Sequence, residues 1–562
     1  MRRLILSVIA LCTVAALPAL AQEEPPARVG RVSFVEGQLA FHTKGETTWS
    51  SAAVNYPVAT GGSFWTDPKS RAEIRIGAQT INLSGNAEVD IVKLNEQVMQ
   101  LAVPQGRVEV QLRQLGEGES AELDMPRGGV WLLQPGIYDI DAGTPTQATR
   151  VAVVDGRARF VGGIVDIGVN AGQAASISGT QTLTASLEKF VPDAFAQWCH
   201  SRAYHEHRLA APYYVSPRMT GYEELDEYGA WRTAPEYGRV WYPRGLPAGW
   251  SPYTNGYWIW EAPWGWNWID LEPWGFAPFH YGRWAQIGGA WGWVPGAFVG
   301  APVYAPALVA FIADPAAILA SAFAGPLVGW FPLGPGEAYW PSYSSDPAYI
   351  RAINTGAVAD AGRLGPRPAG DAATANRAFA NRGAATVMSQ HGFASAQRVA
   401  SNDLRVSPQA AQHARVTAQA PPTSAHVGGS ARLAGPGRMQ ALAGAVARGA
   451  AAHGVRGGAT ARLGGRGATS HFTGHVATRH AGGRVAAAHF HGGRAAHFAA
   501  RRFGGGGHGG GPHFGGGFGG GGPHFGGGGG HGGGGPHFGG GGGHGGGGPH
   551  GGGGGHGGKG HG

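Results

Sequence analysis

The first third of the chain alternates apolar and polar residues with a period of two. The alternation is plain at residues 72–76 and 108–112, and glycines such as Gly77 and Gly106 separate the segments. Residues two apart on a strand share one face, so this pattern predicts many short strands around a common core. We therefore predict an all-β domain over residues 28–180, built as a sandwich or a short solenoid.

A connecting helix is predicted within residues 183–210. Pro192 and Asp193 suit the first turn of a helix. The predicted helix runs to about His207 and carries Cys199, the only cysteine of the chain besides Cys12. We interpret Cys199 as a small buried residue, because a nucleophilic or metal-binding role needs companions at helical spacing. His205 and His207 lie two residues apart and would point to different sides of the helix, so they make a poor metal site.

Tryptophan dominates the next segment, residues 211–354. Fourteen of the 18 tryptophans lie between Trp231 and Trp340, interleaved with Gly, Pro and Tyr. That density of Gly and Pro forbids long helices and predicts a β domain of short strands whose core is made of packed aromatic rings. A second interpretation stays open, in which Trp258, Trp268 and Trp284 form an exposed row that stacks on carbohydrate.

Catalytic signatures are weak in this segment. Glu261, Asp270 and Glu272 would have to flank a cleft at a fixed separation to act as paired carboxylates in glycoside hydrolysis. His280 more readily holds a turn by a hydrogen bond. No nucleophile elbow, zinc-protease motif, phosphate loop or dinucleotide fingerprint occurs, so we expect no enzyme activity.

The apolar residues 301–325 raise the question of a membrane helix. Asp314 and Pro315 interrupt this stretch, and further prolines crowd its ends. A spanning helix would leave backbone groups unsatisfied at these prolines. Buried strands and loops are the better interpretation.

The last 208 residues are of low complexity. Residues 355–502 are rich in Ala, Arg and Gly, and residues 503–562 contain 41 glycines. Such a composition offers too few apolar side chains for a core and predicts disorder. Histidines recur every six or seven residues near the end, at His524, His531, His537, His544, His550 and His556. They could bind Zn, Ni or Cu adventitiously, or reflect drift without selection.

Charge is divided unevenly along the chain. Of its 43 basic and 35 acidic residues, 14 basic and no acidic residues follow Asp403. The body is therefore acidic and the tail basic. We expect the tail to contact an anionic envelope polymer or polysaccharide rather than nucleic acid, because the first 21 residues predict export of the chain.

The first 21 residues have the pattern of a cleavable signal peptide. Arg2 and Arg3 precede an apolar run from Leu4 to Leu17, and Ala19-Leu20-Ala21 supplies small residues before the expected cleavage point. The run is shorter than the ~20 residues that span a bilayer. We expect a mature chain without a transmembrane span, in the periplasm or secreted.

The first domain carries short strand-and-turn motifs at residues 29–32, 36–37, 58–66, 70–76, 106–108, 136–138 and 151–156. In these motifs it resembles the FecR domain of bacterial envelope proteins. The resemblance implies a β-rich module outside the cytoplasm. Founding members of that family also relay a signal through a transmembrane helix and a cytoplasmic anti-sigma segment, whereas this chain has neither pattern.

The Trp-rich segment carries a second set of motifs at residues 213–217, 221–225, 228–231, 272–284 and 329–335. Over about 150 residues these motifs resemble an uncharacterised exported bacterial domain, which often follows a FecR module and has no assigned activity. The whole pattern favours a structural or binding protein of the envelope, with carbohydrate binding, metal binding by the tail and a signalling role as the alternatives.

Overall fold

The computed structural model describes residues 25–46, 48–203, 209–296, 301–365, 378–417 and Pro421. These residues are mostly β-structure, as the sequence predicts, and all belong to one compact unit of the chain.

Eighteen strands form the N-terminal domain. Their alternation between buried and exposed side chains follows the period of two that the sequence shows, for example in the strand of residues 98–105. In chain order they are β1 (Gly30–Glu36), β2 (Leu39–Thr43), β3 (Ser50–Ser51), β4 (Pro57–Val58), β5 (Gly62–Thr66), β6 (Arg71–Ile76), β7 (Gln79–Leu83), β8 (Glu88–Leu94), β9 (Val98–Gln105), β10 (Arg107–Leu112), β11 (Ser120–Met125), β12 (Gly128–Leu132), β13 (Gly136–Asp141), β14 (Thr149–Asp155), β15 (Arg157–Gly162), β16 (Val165–Asn170), β17 (Gln173–Ser178) and β18 (Thr184–Lys189).

The strands divide into two nine-stranded sheets that enclose one aliphatic core. The first sheet has the order β18-β17-β14-β13-β10-β7-β6-β1-β4, and the second has the order β16-β15-β12-β11-β9-β8-β5-β2-β3. Hairpins such as β13–β14 and β15–β16 alternate between the sheets along the chain. The strands pair antiparallel except for β9 with β11, which pair in parallel. Of the two predicted forms, the domain is the sandwich, and it extends to Lys189 instead of ending at residue 180.

Helix α1 (Ala194–Ala203) follows this sandwich and packs on the outer face of its first sheet. Asp193 caps the helix, since its carboxylate accepts hydrogen bonds from the backbone N–H groups of Phe195 and Ala196, both at 3.1 Å. Asp193 also pairs with Arg107 of the sheet. Cys199 is fully buried, as predicted. His205 and His207 lie outside the described residues.

The remaining elements build the aromatic domain. Its strands form two four-stranded sheets, β19-β20-β24-β23 and β27-β26-β25-β28, and the separate hairpin β21–β22. The strands are β19 (Gly229–Ala234), β20 (Gly238–Pro243), β21 (Gly256–Glu261), β22 (Gly265–Asp270), β23 (Arg283–Ile287), β24 (Ala290–Val294), β25 (Val309–Ile312), β26 (Leu327–Pro332), β27 (Thr386–Ser389) and β28 (Val416–Thr417). The helices are α2 (Leu225–Tyr228), α3 (Ala277–His280), α4 (Pro347–Asn354), α5 (Gln390–Ala394) and α6 (Pro408–Gln412).

The aromatic domain continues beyond residue 354, where the composition predicts disorder. Strands β27 and β28 complete the sheet of β25 and β26. Phe393 is buried against Trp258, Trp266 and Trp330, with ring centroids 4.5–5.9 Å apart. Composition misleads here because residues 378–417 need no core of their own. A few apolar side chains suffice to finish a core that the tryptophans begin.

A buried polar interface joins the two domains. The guanidinium of Arg31 donates to the side chain of Asn55 at 2.7 Å and to the Pro273 carbonyl oxygen at 3.1 Å, and it pairs with Glu224. Asn55 in turn donates to the carbonyl oxygens of Asp270 and Glu272, at 3.0 and 2.7 Å. The two domains are therefore held in a fixed arrangement by groups that would cost free energy if left unpaired.

Glu73 and Arg75 of β6 show why the sequence pattern hides this interface. Their side chains point away from the sandwich core, as alternation requires, yet they are buried. Glu73 accepts from Arg202 of α1 at 2.5 Å, and Arg75 lies 3.7 Å from Glu223 of the aromatic domain. Around β6, the polar face of the first sheet is thus a contact surface and not a solvated one.

Phe393→Ala should strongly destabilise the aromatic domain. The substitution opens a cavity among three tryptophans, and Phe→Ala changes in a core typically cost ~3–5 kcal/mol. The midpoint of urea unfolding, followed by tryptophan fluorescence, should fall clearly. Phe323→Ala is the matched control, because Phe323 is 41% exposed and belongs to no buried cluster, so its loss should leave the midpoint nearly unchanged. Equal midpoints for both variants would contradict the place of Phe393 in the core.

Candidate functional site

The three tryptophans considered as a carbohydrate platform lie in the core. Trp258, Trp268 and Trp284 are each at most 1% exposed. Trp258 contacts Trp268 and Trp330 with ring centroids 5.5 and 5.4 Å apart, in edge-to-face geometry. An exposed row at these positions is therefore wrong, and the aromatic-core interpretation is correct. These rings face other rings because Gly and Pro provide turns but no side chains large enough to fill the interior.

The candidate carboxylates each have a local partner in the fold. Glu261 accepts a hydrogen bond from the Tyr56 hydroxyl at 2.9 Å, which links the two domains. Asp270 accepts from the Trp268 indole at 3.1 Å, and Glu272 accepts from the Asn255 side chain at 2.8 Å. Burial raises the pKa of Asp270 well above its usual range and that of Glu261 to about 7. These contacts are the ones that hold turns and interfaces together.

His280 also has a structural position. It is fully buried at the end of α3, and its Nδ1 donates to the Ala305 carbonyl oxygen at 2.8 Å. Burial lowers its pKa to about 3, so the ring is neutral. The predicted hydrogen bond is present, but it joins the end of α3 to a residue 25 positions along the chain and closes no local turn.

Metal-binding candidates are sparse in the described chain. Among residues 25–421 that the structure describes, no group of three or more His, Cys, Asp or Glu side chains is placed to hold a metal ion. Burial and the nearby carboxylate of Glu109 raise the pKa of the Cys199 thiol, which disfavours the thiolate. The six regularly spaced histidines, His524 to His556, lie outside the described residues.

A cleft of about 790 Å³ opens on the surface of the aromatic domain. Its rim carries three tyrosines, Tyr213, Tyr214 and Tyr237, together with the charged side chains of Glu236 and Arg239. Tyr213 is 85% exposed, in contrast to the buried tryptophans. The volume lies in the range of pockets that hold small organic ligands. We call this feature the tyrosine cleft.

Local structure explains how the tyrosines reach the rim. A short turn of 3-10 helix spans Ala211–Tyr213 with Pro212 in its middle, and the carboxylate of Asp226 accepts from the Ala211 N–H at 2.9 Å. The turn holds Tyr214 against Trp231, with ring centroids 4.8 Å apart. Tyr213 follows the same turn but projects into solvent.

The other side of the tyrosine cleft comes from the β19–β20 hairpin. Tyr237 lies in its turn, where its N–H donates to the Ala234 carbonyl oxygen at 3.2 Å. Arg239 of β20 places its guanidinium 5.0 Å from the centre of the Tyr214 ring, a cation–π contact that holds the two sides together.

Arg283 lines the inner wall of the tyrosine cleft. It is 1% exposed, and its guanidinium donates to the carbonyl oxygens of Glu337 and Gly282 and to the side chain of Asn354, at 2.7–3.0 Å. Burial lowers its pKa to about 10. Its hydrogen bonds join β23 to the end of α4. Because these donors are already bonded within the protein, Arg283 stabilises the wall of the cleft and is not a candidate for ligand binding.

Sequence reasoning passed over the tyrosine cleft. The adjacent Tyr213 and Tyr214 lie between Pro212 and Pro217, outside the Gly/Trp repeats. Two aromatic residues in a proline-bounded turn could have marked an exposed pair, because such a turn belongs to no predicted core strand. Arg239 and Tyr237 gave no such signal within their hairpin.

Comparison with known proteins gives a family without an assigned activity. Residues 222–337 match the model of a family of unknown function, DUF6600. This match covers the predicted Trp-rich segment only in part and leaves out Tyr213 and Tyr214. No curated protein matches the chain.

Two solved structures are similar to part of the chain. Both are crystal structures of a proposed anti-sigma factor from Parabacteroides distasonis ATCC 8503. The first is 7% identical with a TM-score of 0.22 and covers 24% of this chain and 64% of that one. The second is 8% identical with a TM-score of 0.21 and covers 23% and 59%. The chain thus spans less than two thirds of the length of either protein.

The described helices are all short. Within the part of the chain that the structure describes, none is both long and apolar enough to cross a membrane. Residues 309–312 form the buried strand β25 in place of a helix, in agreement with the interpretation of residues 301–325 as strands and loops.

Glu261→Gln should change how stability depends on pH. The folded pKa of Glu261, about 7, lies above its ordinary value of 4.5, so folding favours the protonated carboxyl. The stabilisation is complete below about pH 4.5 and is lost as the pH rises through 7. Glutamine keeps an acceptor for Tyr56 and does not ionise.

The measurement is the melting temperature of both proteins between pH 4.5 and 8. The melting temperature of Glu261→Gln relative to the wild type should rise across this interval. Glu36→Gln, at an exposed position, is the control and should run parallel to the wild type. A parallel course for Glu261→Gln as well would contradict the buried state of Glu261.

Proposed function

We propose that this chain is an exported, non-enzymatic binding protein of the bacterial cell envelope that holds cell-wall polysaccharide in the tyrosine cleft. The observation that carries the proposal is the exposure of Tyr213 at the rim of a large cleft, whereas eight tryptophans of the domain are less than 2% exposed. The exposed ring of Tyr213 lies beside a cleft of about 790 Å³ and does not contribute to the aromatic core. The predicted signal peptide supports export.

Sugar rings suit the chemistry of the tyrosine cleft. A pyranose has an apolar face that packs on a flat aromatic ring and an edge of hydroxyl groups. Tyr213 and Tyr237 offer such faces together with phenolic hydroxyls. Glu236 and Arg239 add an acceptor and a donor at the rim. The carboxylates of a muropeptide would find Arg239 within the same cleft.

The basic tail would add a second attachment. Its 14 positive charges and lack of acidic residues after Asp403 favour an anionic partner. Attachment through charge is long-ranged and weakened by salt, whereas stacking in the tyrosine cleft is not. The two contributions can therefore be separated by ionic strength.

The sandwich would act as the structural body of the protein. We assign residues 28–189 to the FecR type of module on their strand-and-turn motifs, such as residues 70–76 and 151–156, with support from the hairpins that alternate between the two sheets. A signalling role would require an inner-membrane partner that reads this module. Nothing in the tyrosine cleft requires such a partner.

Tyr213→Ala and Tyr237→Ala should weaken binding to peptidoglycan. The test is cosedimentation of the full mature chain with isolated sacculi in about 0.5 M salt, where screening suppresses the tail. Loss of one stacked ring should cost on the order of tenfold in affinity, equivalent to ~1.4 kcal/mol. Phe323→Ala removes an exposed ring outside the cleft and should bind like the wild type. Unchanged binding by both tyrosine variants would contradict the proposal.

Truncation after Pro421 should remove the salt-sensitive attachment. In low salt, the full chain should cosediment with lipopolysaccharide vesicles and the shortened chain should not. Raising the salt should release the full chain, because each screened charge contributes less. Retention that depends on the tail and resists salt would rule out attachment through charge.

A further inference from the structure

Strand β18 leaves one end of the sandwich open. All six of its residues are exposed, and it is the last strand of the first sheet. At the other end of the same sheet, β4 has only two residues. Short edge strands offer little for another chain to pair with, whereas a regular six-residue edge offers a full ladder. The two ends of the sandwich therefore differ in what they present to a partner.

The register of β17 and β18 determines which groups face outward. Phe190 donates its N–H to the Gly172 carbonyl oxygen at 2.8 Å, and the pairing continues with Lys189 opposite Gln173. Because the bonding direction alternates along an antiparallel strand, residues 184, 186 and 188 bond to β17. The N–H and C=O groups of Ala185, Leu187 and Lys189 face away. No strand in the described chain pairs with them.

Leu187 points toward the interior side of the sandwich. It lies opposite Ala175, which is fully buried in the aliphatic core. Leu187 is nevertheless 47% exposed, because the second sheet ends at β16 and leaves it uncovered. A leucine on the core side of a sheet is thus open to solvent at the end of the sandwich.

We propose that β18 pairs antiparallel with β18 of a second copy of this chain, with Leu187 opposite Leu187. A two-fold axis perpendicular to the sheet keeps each side chain on its own face, as antiparallel pairing requires. In this register Ala185 of each copy lies opposite Lys189 of the other copy. The outward groups of these three residues then form six backbone hydrogen bonds, and the two leucines cover each other on the core side.

Other two-fold registers fit less well. A two-fold axis that passes through Glu188 or Lys189 places like charges directly opposite each other, which is destabilising. A two-fold axis that passes through Ser186 or Ala185 shifts part of the ladder beyond the start of β18. Fewer of the outward-facing backbone N–H and C=O groups are then paired. The register around Leu187 pairs Ser186 with Glu188 and brings no like charges together. The strand is therefore complementary to itself in one register above the others.

Charge substitutions at Leu187 test the pairing in the full mature chain. By analytical ultracentrifugation the wild type should be a dimer. Leu187→Lys and Leu187→Glu should each be monomeric, because each places like charges at the two-fold axis. An equal mixture of the two variants should form a dimer again, since Lys then lies opposite Glu. Recovery on mixing excludes misfolding as the cause of dissociation.

Val92→Lys is the matched control. Val92 is 44% exposed in β8, within the second sheet and away from β18, so this variant should remain a dimer. A wild type that is monomeric at its highest soluble concentration would overturn the proposal. So would a dimer that persists in Leu187→Lys.

Cysteine cross-linking gives the register directly. Hydrogen-bonded residues opposite each other in antiparallel strands have Cα atoms about 5.5 Å apart, a separation that a disulfide spans. Leu187→Cys should therefore form a disulfide-linked dimer on mild oxidation. The wild type should not, because Cys199 is fully buried. No more cross-linking in Leu187→Cys than in Val92→Cys would overturn the register.

Discussion

The buried guanidinium of Arg31 joins the two β-rich domains and fixes how they are placed relative to each other. Arg31 is fully buried between Asn55, Glu224 and the backbone at Pro273, so each of its neighbours has a partner only while the domains stay in contact. Removing a charge from water is costly, and the ion pair with Glu224 and the two hydrogen bonds offset that cost, although the Nε atom of Arg31 has no partner. The interface can therefore be expected to hold the domains as one body, with the tyrosine cleft and β18 at fixed positions on it.

The aromatic core solves a second problem, which is stability without covalent cross-links. Eight tryptophans are less than 2% exposed, among them Trp241, Trp274 and Trp293, and each buries far more area than an aliphatic side chain. Glycines let the rings approach, as at Gly229 at the start of β19, where any side chain would overlap the Trp241 indole. Tryptophan content therefore reports on packing in this domain. Trp260 of β21 is the exception, at 48% exposed, and the candidate binding surface is marked by Tyr213, which is 85% exposed.

Period-two alternation allowed the strands and the all-β class to be predicted, because that period depends only on local backbone geometry. The burial of Glu73, Arg75 and Asn55 in the interface could not be predicted, because the sequence pattern of a polar face is the same whether water or another domain covers it. Residues 378–417 were missed for a related reason: Phe393 and Val387 complete a core that begins elsewhere in the sequence. The tyrosine cleft was missed because its two sides, residues 212–217 and 236–239, meet only after folding.

Hydrogen–deuterium exchange with and without soluble peptidoglycan fragments tests the central claim most directly, namely that the tyrosine cleft is the binding surface and the tryptophans are core. Bound fragments should slow exchange at residues 212–217 and 236–239. Exchange in β21 and β22, which carry Trp258 and Trp268, should stay slow and unchanged. Protection confined to β21 and β22, or none at saturating ligand, would contradict the account.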